Sequence, residues 1–109
     1  MEQRDLVHDF AEAISGTTYE RLPDEAIDKA KKSILDTLGV ALAASGLEPA
    51  ARGVADIVHE HGGRPDCTHL GFGGRGPALM AALGNGALAH CLDYDDQTPW
   101  GQHASSSAV

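Results

Sequence analysis

The stretch "RLPDEAIDKAKKSILDTLGVALAASG", Arg21 to Gly46, decides the fold. Pro23 suits a first helical position, and Asp24 and Glu25 oppose the positive end of a helix dipole. Ile27, Ala30, Ile34, Leu38, Ala41 and Leu42 then recur on one helical stripe. Gly39 interrupts that stripe at a cost of about 1 kcal/mol against alanine, which suits close contact with another helix. Gly46 stands where a C-terminal capping glycine belongs.

The same punctuation extends in both directions. Upstream, "DLVHDFAEAIS" places Leu6, Phe10, Ala13 and Ile14 at helical spacing, and Gly16 stops it. Downstream, Pro49 opens a third helix with Val54, Ile57 and Val58 as apolar positions, and "HGG" closes it. "RPDCTHLGFGGRG" reads as a connector with one short strand near Thr68 to Leu70. Pro77 opens a fourth helix, "PALMAALGNGALAHCLDY", where Gly84 and Gly86 flank Asn85. Those glycines suit a buried helix crossed closely by its neighbours. The expectation is an all-α domain with helices near residues 3–15, 23–45, 49–61 and 77–93, the fourth central and the first three around it.

A chain of 109 residues fits one small domain. Apolar residues make up 42%, with only five aromatics, so the core must be built mostly of Ala, Leu, Ile and Val. A formal charge of -8 argues against nucleic acid or an anionic membrane surface as partner, because both select basic surfaces. Cys67 and Cys91 lie far apart without CxxC spacing, which favours free thiols in a reducing compartment. There is no leader-like segment and no apolar run approaching the ~18 residues of a membrane span. The sequence therefore reads as cytoplasmic.

Chemistry concentrates in "DYDDQTPWGQH", Asp93 to His103. Asp93, Asp95 and Asp96 fall where the fourth helix should end, and carboxylates there oppose the dipole. Departures from local stability rules concentrate at functional sites; a solvated acidic turn is the structural alternative. A metal trio of His90, Asp93 and His103 lacks any established ligand spacing, so no metal is expected. An acid–base reading pairs Asp93 with His103 across the Pro-Trp-Gly turn, since a carboxylate beside an imidazole suits it to proton transfer near neutral pH. Gln97 and Thr98 would hydrogen-bond a substrate, and Asp95 would point elsewhere. "GFGGRG", Gly71 to Gly76, satisfies GxGxxG, but the buried strand that a dinucleotide fingerprint requires before it is missing.

Three stretches in order resemble the MmgE/PrpD family: "LPDEAIDKAKKSILDTLGVALAASG", "GFGGRGPALMAALGNGALAH" and "LDYDDQTPWGQHASSSAV". Family members share a Leu-Pro helix start, Leu-Asp-Thr-Leu-Gly-Val-Ala, and Ala-Ala-Leu-x-Asn-Gly-x-x-x-His. A Leu-Asp-Phe-Asp-Asp-Thr loop and a His-Pro-Ser follow. The family includes 2-methylcitrate dehydratases, cis-aconitate decarboxylases and iminodisuccinate epimerases. The resemblance implies an all-helical domain followed by an α/β lid domain, usually in a homodimer, with no metal or organic cofactor. It also implies proton transfer next to the carboxylates of small polycarboxylic acids.

Residue by residue, Asp93 matches the first Asp of the loop, Asp96 the last, and His103 the His of His-Pro-Ser. Asp93 and His103 are active-site positions in the family. Gln97 stands where the family Thr belongs, Thr98 is displaced by one, Ala104 replaces the Pro, and Tyr94 replaces the Phe. Residues 1–109 then correspond to the N-terminal part of the helical domain, without the lid. Such a part, inactive alone, would need the rest of the enzyme or a companion chain. The rival reading is a non-catalytic helical interaction module.

Overall fold

A computed structural model of the protein describes residues 5–95 and residue 97. It is an all-α arrangement: α1 (Leu6–Gly16), a 3-10 turn (Tyr19–Arg21), α2 (Asp24–Leu47), α3 (Pro49–Glu60) and α4 (Ala78–His90). One minimal antiparallel pair joins β1 (Cys67–Thr68) to β2 (Arg75–Gly76), with Cys67 opposite Gly76 and Thr68 opposite Arg75. Among the described residues no single helix is long and apolar enough to cross a membrane. The chain divides into two compact units, one up to Lys31 and one from Lys32 onward.

In the first unit, local hydrogen bonds hold α1. The Asp5 side chain accepts from the Val7 N–H at 3.2 Å, satisfying an orphan donor of the first turn. At the other end the Thr17 hydroxyl donates to the Ala13 carbonyl at 2.6 Å, and the Arg21 guanidinium to the Gly16 carbonyl at 2.9 Å. These groups satisfy carbonyls that have no intrahelical partner. Yet α1 buries none of its residues, and Leu6, Phe10 and Ile14 are 69%, 67% and 76% exposed. The start of α2 differs slightly from expectation. Its first residue is Asp24, and the Pro23 carbonyl accepts from the Ala26 and Ile27 N–H groups. Pro23 therefore precedes the helix rather than opening it.

The second unit has a core of small side chains. Ala41 and Ala44 of α2, Ala51 of α3 and Leu88 of α4 are buried together, with Leu70, Phe72, Cys91 and Leu92 packed against them. Small residues let backbones approach, and α3 lies directly on α4. α2 runs through Gly46 to Leu47, so Gly46 is not its cap. The stop comes from Pro49, whose ring disfavours helical geometry at the preceding residue. Glu48 is extended accordingly, its carboxylate accepts from the Ala50 N–H at 2.9 Å, and the path bends by 97° between the two helices.

The expectation of a central, closely crossed α4 holds only on one face. Ala81, Leu88 and Ala89 are buried, but Leu79 is 75% exposed and Leu83 about half. A methyl group at Gly84 would meet Val58 at an ordinary 3.5 Å, and at Gly86 or Gly39 it would meet nothing within 4 Å. Packing demands glycine instead at Gly63 and Gly76, where a Cβ would come within 2.5 Å of Pro77 and 2.7 Å of His69, and at Gly71. Gly71 lies at φ +68°, and a Cβ there would come within 2.7 Å of Ser45.

Candidate functional site

Two fixtures hold the C-terminal half of α4 in place. The first is Asn85, whose side-chain oxygen accepts from the Leu70 N–H at 2.8 Å while its nitrogen donates to the Thr68 carbonyl at 3.1 Å. One carboxamide thus satisfies two backbone groups and ties the β1–β2 hairpin to the helix. GFGGRG supplies most of that hairpin's loop and its second strand. Gly71, Gly73 and Gly74 have positive φ, and Gly76 sits in β2 opposite Cys67. The glycines reverse the chain between two antiparallel strands, which is not the strand-to-helix turn of a dinucleotide site. Arg75 spends its donors inside the hairpin, on the Pro65 and Asp66 carbonyls and the Thr68 hydroxyl.

Beneath the hairpin, His69 is 7% exposed and neither ring nitrogen has a hydrogen-bond partner. Its ring centroid lies 5.2 Å from that of His59, which contacts the Gly73 carbonyl at 3.2 Å. The adjoining void is about 10 Å³, room for about one water.

The second fixture is the turn that follows α4. The helix ends at His90, three residues before Asp93, and Cys91 caps it by donating to the Ala87 carbonyl at 3.0 Å. Cys91 and Leu92 turn inward onto the core. Burial pushes the Cys91 thiol up from its usual range, with the Glu48 charge adding to the effect. Asp93 then takes φ +56° and donates its N–H to the His90 carbonyl at 2.9 Å. It is the one non-glycine residue with positive φ among the described residues. Aspartate tolerates this region better than most residues. Asp95 comes back to His90, with His90 Nδ1 and Asp95 Oδ2 2.6 Å apart. The Asp95 side chain is 9% exposed and the His90 side chain 64%.

This geometry revises the predicted site in part. Because α4 stops at His90, Asp93 is not on the helix and shares no helical face with His90. The described residues hold no group of three His, Cys, Asp or Glu side chains placed to bind a metal ion. Asp93 and Gln97 are exposed. Asp96, Thr98, Trp100 and His103 lie outside the described residues, so the Asp93–His103 pairing is not addressed by the structure. His90 is hydrogen-bonded, with an exposed ring and a partner carboxylate that is mostly shielded from water. The sequence reading missed the Asp95–His90 pair and the Asn85 clamp. Asn85, a polar residue between two glycines inside a helix, was the available signal.

Between α2 and the turn lies an open groove of about 550 Å³, lined by residues that include Leu35, Gly39, Ala43, Leu47, Leu92 and Tyr94. Its walls are mostly apolar, with Lys32 and Asp36 of α2 as the charged members, a lining that suits an amphipathic helix face.

Two curated relatives are similar along the whole chain: the cis-aconitate decarboxylases of Homo sapiens, 28% identical over 121 aligned residues, and of Mus musculus, 28% identical over 116. Each alignment covers 100% of this chain, but 23% and 22% of the respective relative. The chain thus spans less than a quarter of their length. No solved structure matches it. The sequence profile of the MmgE/PrpD N-terminal domain fits residues 8–109, and the chain belongs to the MmgE/PrpD family.

Proposed function

We propose that this chain is the N-terminal part of the helical domain of a cytoplasmic, homo-oligomeric lyase or isomerase that acts on small polycarboxylic acids by acid–base proton transfer. The observation that carries the reading is Asp93. It sits exposed at φ +56° on a turn fastened to α4, at the family's loop position. Uncommon backbone conformations of this kind gather at functional sites. His103 is the proton donor or acceptor and Asp93 orients it or the substrate, with Asp96, Gln97 and Thr98 as hydrogen-bonding contacts. Dehydration, decarboxylation and epimerisation all move a proton, or an electron pair that later takes one, at a carbon next to a carboxylate. One imidazole–carboxylate pair suits each of them.

Substrate carboxylates also need cations. The chain has 8 Lys and Arg against 16 Asp and Glu. Arg75 is committed to its hairpin, Arg64 pairs with Asp66 at 3.1 Å, and Arg52 lies over the Phe72 ring. The cations that hold the substrate carboxylates would then come from the rest of the enzyme, in the same polypeptide or a companion chain. The groove along α2 favours a second reading, a helical interaction module without catalysis.

A substrate panel separates the two. The full-length protein carrying this chain is expected to convert at least one of cis-aconitate, 2-methylcitrate and iminodisuccinate, and the 109-residue chain none. Failure of the full-length protein on all three would favour the interaction module. Turnover by the isolated chain would refute the need for a remainder.

A further inference from the structure

We propose that His90 and Asp95 form a clasp that positions Asp93, so that His90 serves the site through its Nδ1 and its carbonyl and not as a proton carrier. The proposal rests on the reading of Asp93 given above.

Three observations carry it. First, His90 is fastened twice to the turn it precedes. Its carbonyl accepts from the Asp93 N–H at 2.9 Å, and its Nδ1 meets Asp95 Oδ2 at 2.6 Å. Residues 90–95 are therefore closed at both a backbone and a side-chain contact, with Asp93 between the two closures.

Second, the burial is unequal. The Asp95 side chain is 9% exposed while the His90 side chain is 64% exposed. An ionised carboxylate withdrawn from water needs hydrogen bonds to offset its lost hydration. It can only accept, so the shared proton must sit on Nδ1. In the neutral ring Nε2 is then the bare nitrogen. Asp95 is the residue that needs this contact, and His90 is the residue that supplies it.

Third, Asp93 adopts a backbone conformation that residues other than glycine seldom adopt. Such a conformation persists where its surroundings over-determine it. Leu92 and Cys91, packed on the core just before it, anchor one side of the turn. The clasp holds the other. Release of the clasp lets Asp93 relax toward ordinary backbone angles, which displaces its carboxylate. A misplacement of about 1 Å can cost about 100-fold in rate.

The test uses side-chain replacements that separate the two ring nitrogens. In the full-length protein, His90→Asn keeps a nitrogen donor near the Nδ1 position, whereas His90→Gln puts its donor near the Nε2 position. His90→Gln and Asp95→Ala are expected to lower kcat by about 10- to 100-fold. His90→Asn and Asp95→Asn, which preserve the donor–acceptor contact, are expected to restore most of it. Equal losses in His90→Asn and His90→Gln would overturn the proposal and make His90 a proton carrier. Unchanged kcat in all four variants would overturn it as well.

A second readout does not depend on turnover. Long-range ¹H–¹⁵N correlation spectra of the wild-type protein, recorded at a pH where the ring is neutral, should show His90 protonated at Nδ1 and bare at Nε2. An Nε2-protonated tautomer would refute the clasp. The expected tautomer in a protein inactive on every polycarboxylate would support the clasp while removing the proposed reaction.

Discussion

Phe10 and Ile14 of α1 are 67% and 76% exposed, whereas Leu88 of α4 is 2% exposed, although both helices carry large apolar residues. α1 has a clean stripe and α4 has apolar residues on every side. The difference lies in the neighbours. Leu88 meets Ala41, Ala44 and Ala51, small residues that two other helices bring to it. Among the described residues, no element supplies such a surface to α1 within its unit, where no residue of the helix is buried. The same contrast runs along α2, where Ala41 and Ala44 are buried and Leu35 and Leu42 are 72% and 56% exposed. Periodicity states that a helix has a face to cover; burial states whether something covers it.

The sharpest way to break this comparison is to truncate one residue of each kind. Leu88→Ala should cost about 3 kcal/mol, as for a leucine in a core that cannot fully collapse. Phe10→Ala should stay within about 0.5 kcal/mol, as for an exposed site. Urea unfolding of both variants measures this, and equal losses would mean that α1 is packed in solution.

The second test concerns how the hairpin is fixed to α4. Asn85→Ala removes the partners of both the Leu70 N–H and the Thr68 carbonyl. The expected cost is about 2 kcal/mol, from one or two backbone groups left unsatisfied. Hydrogen exchange should quicken at the Leu70 amide while α1 stays unaffected. An unchanged Leu70 amide would show that the clamp is not formed.

A smaller effect sharpens the comparison at the core edge. Burial raises the Cys91 thiol, so the folded chain keeps a proton that the unfolded chain releases first. That stability is complete below the unfolded thiol range, near pH 8.5, and is lost as the pH climbs toward the folded value. Cys91→Ala should flatten the alkaline arm of the stability curve. An unaltered alkaline arm would contradict the assignment.

Legibility in the sequence follows the range of the interaction. Pro49 and Gly62 act within a few residues, and the end of α2 and the close of α3 are readable from them. Gly46 misled because a glycine ends a helix only when the backbone turns left-handed there, and Pro49 had already set the stop two residues later. The hairpin was half visible. Thr68 looked like a strand, but its partner at Arg75 depends on glycine conformations that propensity does not specify. The least legible feature was the return of Asp95 to His90. They stand five positions apart, and the reversal depends on Cys91 and Leu92 finding the core. The acidic cluster was visible as a local contradiction, whereas the distinct roles of Asp93 and Asp95 required the turn itself. Asp96, Thr98 and His103 lie beyond the described residues.

The central claim is that the exposed, left-handed Asp93 is a working group of an acid–base site shared with His103. It is tested most directly by steady-state turnover of the full-length protein on its polycarboxylate substrate, with Asp93→Asn and His103→Ala compared to wild type. Both variants should keep the wild-type circular dichroism and lose about 10²- to 10⁴-fold in kcat, the usual contribution of a general acid or base. Near wild-type turnover in either variant would contradict the account and leave the turn after α4 a structural element.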